Sequence, residues 1–289
     1  MKPRTLCTAV VAGFLCALMA VPLARADWNP GDGHKMHFPQ LPDLSPQGLD
    51  VNATFWQVPA GQQPIFPFQK VLADDWTCSA SGPVNDIHIW GSWLGDRKFP
   101  DTVFHLSIHD DIPKNPSNPN DYSKPGALLW EGFFSPTQYQ QRVYATAQEL
   151  VWDPNTGTIF GTDTLVWQYN FTNIPQPFVQ QVGKTYWLDV QALVPAGPSP
   201  TAPEFLFGWK TSQDHYLDDA VFGDTNVFGG PPFPQFPDPN TAGTLIPWKD
   251  MHHPEFGYSL DMAFVITPEP ASVGTLAIAI FGMGFLRRR

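Results

Sequence analysis

An all-β fold is predicted, built as a single antiparallel β-sandwich of jelly-roll type with long Pro- and Gly-rich loops. Three observations predict it. Apolar and polar residues alternate with period two in one segment after another, the pattern of a strand with one packed face. Proline is abundant, 32 of 289 residues, and the body of the chain keeps no helical period. Turn-forming clusters separate the alternating segments at strand-like intervals. A signal helix at the N-terminus and a transmembrane-like helix at the C-terminus complete the expectation.

The first 26 residues read as a secretory signal peptide. Lys2 and Arg4 give a positive start, Thr5 to Leu23 is apolar and uncharged, and Ala24-Arg25-Ala26 supplies small residues for cleavage before Asp27. An uncleaved anchor is the alternative, since the run is nearly long enough to span a bilayer. Cys7 and Cys16 leave with that leader, so Cys78 alone stays and the mature chain can form no internal disulfide. From Asp27 to Ile266, 10 Lys and Arg face 26 Asp and Glu, a net charge of −16. Such a body repels phosphate backbones, which argues against nucleic acid as a partner.

Residues 27–40 form an irregular lead-in, and 41–267 form the sandwich domain. The first strand candidate is Val51 to Val58, followed by a segment from Ile65 to Cys78. Val84 to Trp93 alternates, with Ile87 and Ile89 on one face and Asp86, His88 and Trp90 on the other. Val103 to His109 places Phe104, Leu106 and Ile108 against His105, Ser107 and His109. The two are predicted to form a hairpin around Gly95 to Pro100. Ala127 to Phe134 and Gln141 to Trp152 come next, then a turn at Asp153-Pro154-Asn155-Thr156-Gly157. Thr164 to Phe171, Lys184 to Leu193, Glu204 to Lys210 and Tyr258 to Ile266 complete the strands. The stretch from Phe222 to Pro247 reads as a surface loop.

The tail, 268–289, carries the most specific pattern. Pro268-Glu269-Pro270 is followed by Ala271 to Leu286, which holds no charge, and by Arg287-Arg288-Arg289. The prolines keep the glutamate segment extended. As a helix the apolar run covers roughly 24 Å, near the hydrocarbon thickness of roughly 30 Å, and arginine can snorkel across part of the gap. Three Arg resist translocation and act as a membrane stop. This arrangement resembles the PEP-CTERM sorting signal. The resemblance implies a partner, an exosortase-type processing enzyme that reads Pro268, Glu269 and Pro270. It also implies transient residence in the inner membrane and an association with exopolysaccharide and biofilm. An ordinary C-terminal anchor is the alternative.

A second resemblance lies in the body. Leu72-Ala73-Asp74-Asp75-Trp76-Thr77-Cys78, Asp86-Ile87-His88-Ile89-Trp90-Gly91-Ser92-Trp93, Ser107-Ile108-His109-Asp110-Asp111-Ile112-Pro113, Tyr186-Trp187-Leu188-Asp189-Val190 and Phe207-Gly208-Trp209-Lys210-Thr211 look like a domain family of unknown function found in exported bacterial proteins. It spans about Leu41 to Thr267 and implies one domain without an assigned activity.

Three groups of residues are candidate sites. If the Val84 to His109 hairpin forms in the expected register, Asp86, His88, His105 and His109 share a face, and imidazole with carboxylate suits a transition metal. The same residues also fit a face that only hydrogen-bonds or meets water. Asp110, Asp111 and Asp121 lie in an Asn- and Asp-rich loop whose oxygens suit Ca²⁺, although the spacing is not that of an EF-hand and such residues also favour turns. Trp90 and Trp187 sit on otherwise polar faces, so they are candidates for stacking on sugar rings; core packing is the competing fate. Motifs for a nucleophile elbow, a zinc protease, a P-loop or a dinucleotide fold are missing. No cofactor is expected beyond Ca²⁺. The first functional expectation is a non-catalytic cell-surface or matrix protein associated with exopolysaccharide. The alternatives are a lectin-like polysaccharide binder and a secreted hydrolase.

Overall fold

The computed structural model of the protein describes residues 27–57, 69–195, 204–225 and 248–267. The expected signal peptide and sorting tail lie outside these residues. No helix among the described residues is long and apolar enough to cross a membrane. The chain is all-β. Its strands are β1 (Leu49–Asn52), β2 (Thr54–Gln57), β3 (Gln69–Thr77), β4 (Gly82–Pro83), β5 (Asp86–Trp93), β6 (Val103–Ile112), β7 (Lys124–Phe134) and β8 (Gln140–Asp153). They continue as β9 (Thr158–Phe171), β10 (Val179–Gln180), β11 (Thr185–Pro195), β12 (Phe207–Lys210), β13 (Val221–Thr225), β14 (Lys249–Asp250) and β15 (Phe264–Thr267).

Two large sheets share one apolar core. The first runs β12-β1-β8-β9-β5-β15, and β5 also pairs with β12, so that five strands close into a small ring. The second runs β14-β13-β3-β11-β6-β7, with β2 paired to β11. Alternation decides what each strand gives to the core. On β6, Phe104, Leu106 and Ile108 are fully buried between the sheets. Phe104 packs against Tyr169, Tyr139, Phe207 and Phe171 with ring centroids 4.7 to 5.5 Å apart. Edge-on and tilted aromatic pairs of this kind add about 0.5–1.5 kcal/mol each beyond their buried area.

Several elements differ from expectation. β5 and β6 do not form a hairpin: β5 pairs with β9, β15 and β12 in the first sheet, and β6 pairs with β11 and β7 in the second. The connection holds a short 3-10 turn, Leu94–Asp96, rather than a hairpin turn. Asp96 fixes that turn to β9 by accepting the Thr164 and Leu165 amides, both at 2.9 Å. The sheets are not purely antiparallel, because β1 runs parallel to β8 and β2 parallel to β11. The expected strand from Val51 breaks at Ala53, whose amide bonds Phe207 of the first sheet while its carbonyl accepts Ala192 of the second. Val221–Thr225 is a strand where a loop was expected to begin, and the last expected strand, Tyr258 to Ile266, is regular only from Phe264, β15 running on to Thr267. The turn at 154–157 between β8 and β9 is where the sequence puts it.

Candidate functional site

The metal set expected on the β5–β6 face is divided between the two sheets. Asp86 accepts the Asn173 amide at 2.8 Å. His88 is held by Asn170 at 2.6 Å and Thr267 at 3.2 Å. On the second sheet His105 meets Glu131 at 3.2 Å, while His109 meets Asp189 at 3.3 Å and the Gly126 carbonyl at 3.1 Å. Burial pushes the His88 imidazole down to about 4, so it stays neutral. These are hydrogen-bonded sheet residues, not one ligand set.

The expected calcium loop does not converge either. Asp110 and Asp111 belong to β6, where neighbouring side chains point to opposite faces. Asp111 accepts the Trp187 indole at 2.8 Å. Asp121 accepts the Asn115 amide at 2.8 Å and pairs with Lys124 at 3.0 Å. The expected sugar-stacking residues are both fully buried. Trp90 packs edge-on to Trp28, 6.0 Å away, because the lead-in crosses its face. Trp187 packs with Ala73 and Val221, beside Tyr122 and Trp248. Neither ring has a face left for a ligand.

A different surface is open. A cleft of about 910 Å³ lies where three distant segments meet: 43–47, 212–215 and 256–261. Local hydrogen bonds build it. Asp43 accepts the Ser45 amide at 2.9 Å, an Asx turn, and the Gln213 side chain at 3.1 Å. Ser212 donates to the Leu41 carbonyl at 2.8 Å and accepts the Asp214 amide at 3.0 Å. The third segment is a tight turn in which His253 and Tyr258 are bonded through their backbones at 2.8 Å, and Gly257 takes a positive φ of 69°. His253 Nδ1 accepts the Glu255 and Phe256 amides, and Nε2 meets the Gln47 carbonyl at 3.3 Å, tying the turn to the first segment.

That turn presents two aromatic rings to solvent. Phe256 is 53% and Tyr258 44% exposed. Their planes lie 3° apart with centroids 6.0 Å apart, and the buried His253 ring sits 4.7 and 4.9 Å from them. Asp43 and Asp214 make the cleft acidic, and Gln47, Gln213, His215 and the Asp261 carboxyl add further donors and acceptors. Asp261 accepts the Tyr216 amide at 2.5 Å and pairs with His215 Nδ1 at 2.9 Å. Burial, with Asp219, Asp214 and Asp218 nearby, pushes its carboxyl up to about 8. Behind it, burial and Asp261 hold Asp74 well above the usual carboxylate range, and Gln40 donates to Asp74 at 2.8 Å.

Ser259, His215 and Asp261 stand in this cleft but do not form a hydrolytic relay. Ser259 Oγ and Asp261 Oδ1 both address His215 Nδ1, at 3.3 and 2.9 Å. A triad needs the nucleophile and the carboxylate on opposite ring nitrogens. The Ser259 proton is moreover given to Asp219. Phe256, Tyr258 and the acids around them were not singled out in the sequence, although Met251-His252-His253-Pro254-Glu255-Phe256-Gly257-Tyr258 is unusually dense in aromatic and imidazole rings.

No curated protein and no solved structure matches the chain significantly. A family match covers residues 36–267, nearly the whole described body and the range in which the second resemblance was read. The chain thus belongs to the family described as a domain of unknown function, DUF7901.

Proposed function

We propose that this chain is an exported, non-catalytic protein that binds polysaccharide through the acidic cleft. It is delivered by its signal peptide and sorted at the cell surface through Pro268-Glu269-Pro270, the apolar run and Arg287-Arg288-Arg289, in the manner of PEP-CTERM proteins processed by an exosortase. Two sheets around one apolar core support the finer reading of the body as a jelly-roll-like sandwich.

One observation carries the binding reading: a pair of parallel, half-exposed rings, Phe256 and Tyr258, at the mouth of a cleft lined by carboxylates and amides. Sugar rings offer apolar C–H faces that pack on such rings, and their hydroxyls take up the fixed donors and acceptors around them. The negative lining favours neutral or amino sugars and repels uronate-rich chains. Affinity electrophoresis of the full chain through gels containing single polysaccharides tests this. Retardation by neutral or amino-sugar polymers and none by uronate polymers is expected; free migration through every polymer contradicts the proposal. A purely structural matrix role is the second reading, and it is the one that free migration would favour.

A further inference from the structure

Inside the closed ring, each of the five strands contributes a polar side chain to one buried centre: Asp50 from β1, Ser92 from β5, Glu149 from β8, Asp163 from β9 and Lys210 from β12. The register aligns them. Asp50 faces Lys210, Glu149 faces Asp163, and Ser92 faces Gly208. None is more than 3% exposed. One oxygen from each acid lies within 4.8 Å of the other two. Lys210 Nζ, 2.5 Å from Glu149 and 3.7 Å from Asp50, also donates to the Leu49 carbonyl at 3.3 Å. Burial pushes all three carboxyls up, and once all three are ionised one lysine leaves the centre short of two positive charges.

Further observations point to a ligand site. The carboxyl oxygens of Asp50, Glu149 and Asp163 and the fully buried Ser92 hydroxyl make no hydrogen bond of good geometry, although Ser92 and Asp163 both lie within reach of Asp50. Buried polar atoms are rarely left in that condition. Glycines also hold the strands close around the centre. A Cβ on Gly208 would stand 2.5 Å from Asp50 Cβ, and one on Gly48 would stand 2.9 Å from Lys210 Nζ and 3.0 Å from Glu149 Oε1.

We infer that this centre is a structural site for a divalent hard cation, with Ca²⁺ the best match, held by Asp50, Glu149 and Asp163. The donors are all oxygen, which excludes the softer metals that seek thiolate or imidazole. Ligands at 2.3–2.6 Å from an ion place their oxygens up to roughly 5 Å apart, the spacing found here. A divalent ion brings the charge of three carboxylates and one ammonium to zero. The ion ties β1, β8 and β9 together and is bound as the ring closes, so its binding energy adds to folding.

The test needs only the full chain. After equilibration with Ca²⁺ and removal of free ion, elemental analysis is expected to find one bound ion per chain. Chelation with EDTA is expected to lower Tm by at least about 5 °C, with recovery on adding Ca²⁺. Asp163→Asn is expected to lose the ion, and His252→Ala, at the exposed Asp219–Asp250–His252 group, to keep it. Absence of stoichiometric metal with a melt indifferent to EDTA, Ca²⁺, Mg²⁺ and Mn²⁺ overturns the inference and leaves the acids held by protons and Lys210. Retention of the ion by Asp163→Asn overturns the assignment to this centre.

Discussion

Asp75 is buried to 1% exposure with no hydrogen bond on either carboxyl oxygen. Burial and the neighbouring Asp74 push its carboxyl up to about 10. Asp261, at about 8, behaves alike. Both acids therefore hold a proton in the folded chain that they lose near pH 4 when unfolded. Their contribution is fully present below that unfolded value, and it is lost as pH rises through the folded values. His88 acts oppositely, because its folded value near 4 lies below the ordinary one, so it costs stability only as pH falls below about 6.5. Stability measured by urea unfolding is expected to fall steadily from pH 6.5 to 10. Asp75→Asn is expected to flatten that slope; an unchanged slope in the variant would remove Asp75 from the account. None of this was legible in the sequence. Asp74-Asp75 reads there as an ordinary acidic pair, and only the register of β3 against β11 shows Asp75 opposite Trp187.

At the scale of elements, alternation was readable and partnership was not. Both faces of β6 and β11 are buried, but the faces they give to the main apolar core follow the period-two pattern: Phe104, Leu106 and Ile108 on one, Tyr186, Leu188 and Val190 on the other. The same pattern cannot say which strand lies alongside. β5 and β6 are consecutive and separated by a short connection, yet they enter different sheets, and the metal set built on their pairing came apart with it. Nor can alternation show what covers a polar face, which is why Trp90 and Trp187 read as accessible. Gly208 gives an element-scale test. On β12, between Ser92 of β5 and Asn52 of β1, it leaves no room for a methyl group. Gly208→Ala is expected to cost about 1–3 kcal/mol in chemical denaturation by forcing β1 and β12 apart. A variant as stable as the parent would show that the ring is looser than described.

For the whole molecule, the all-β class of the body and its likeness to a family of unknown function were legible, and the family match covers residues 36–267. The acidic cleft was not, since its walls come from positions more than 200 residues apart and its aromatics lie in a turn. The proposal of export rests on the two ends of the sequence. Cells expressing the chain with and without Pro268-Glu269-Pro270 are expected to distribute it differently between membrane and medium on fractionation; equal distributions would count against sorting. The proposed polysaccharide site is the acidic cleft of the body. Its most direct test is the dissociation constant for an oligosaccharide from the most strongly retarding polymer, measured calorimetrically for the parent and for the Phe256→Ala/Tyr258→Ala double variant. Both rings are half exposed, so Tm is expected to stay unchanged while affinity falls at least about tenfold, the equivalent of about 1.4 kcal/mol. Equal affinities in parent and variant would place any glycan elsewhere and contradict the assignment of the cleft.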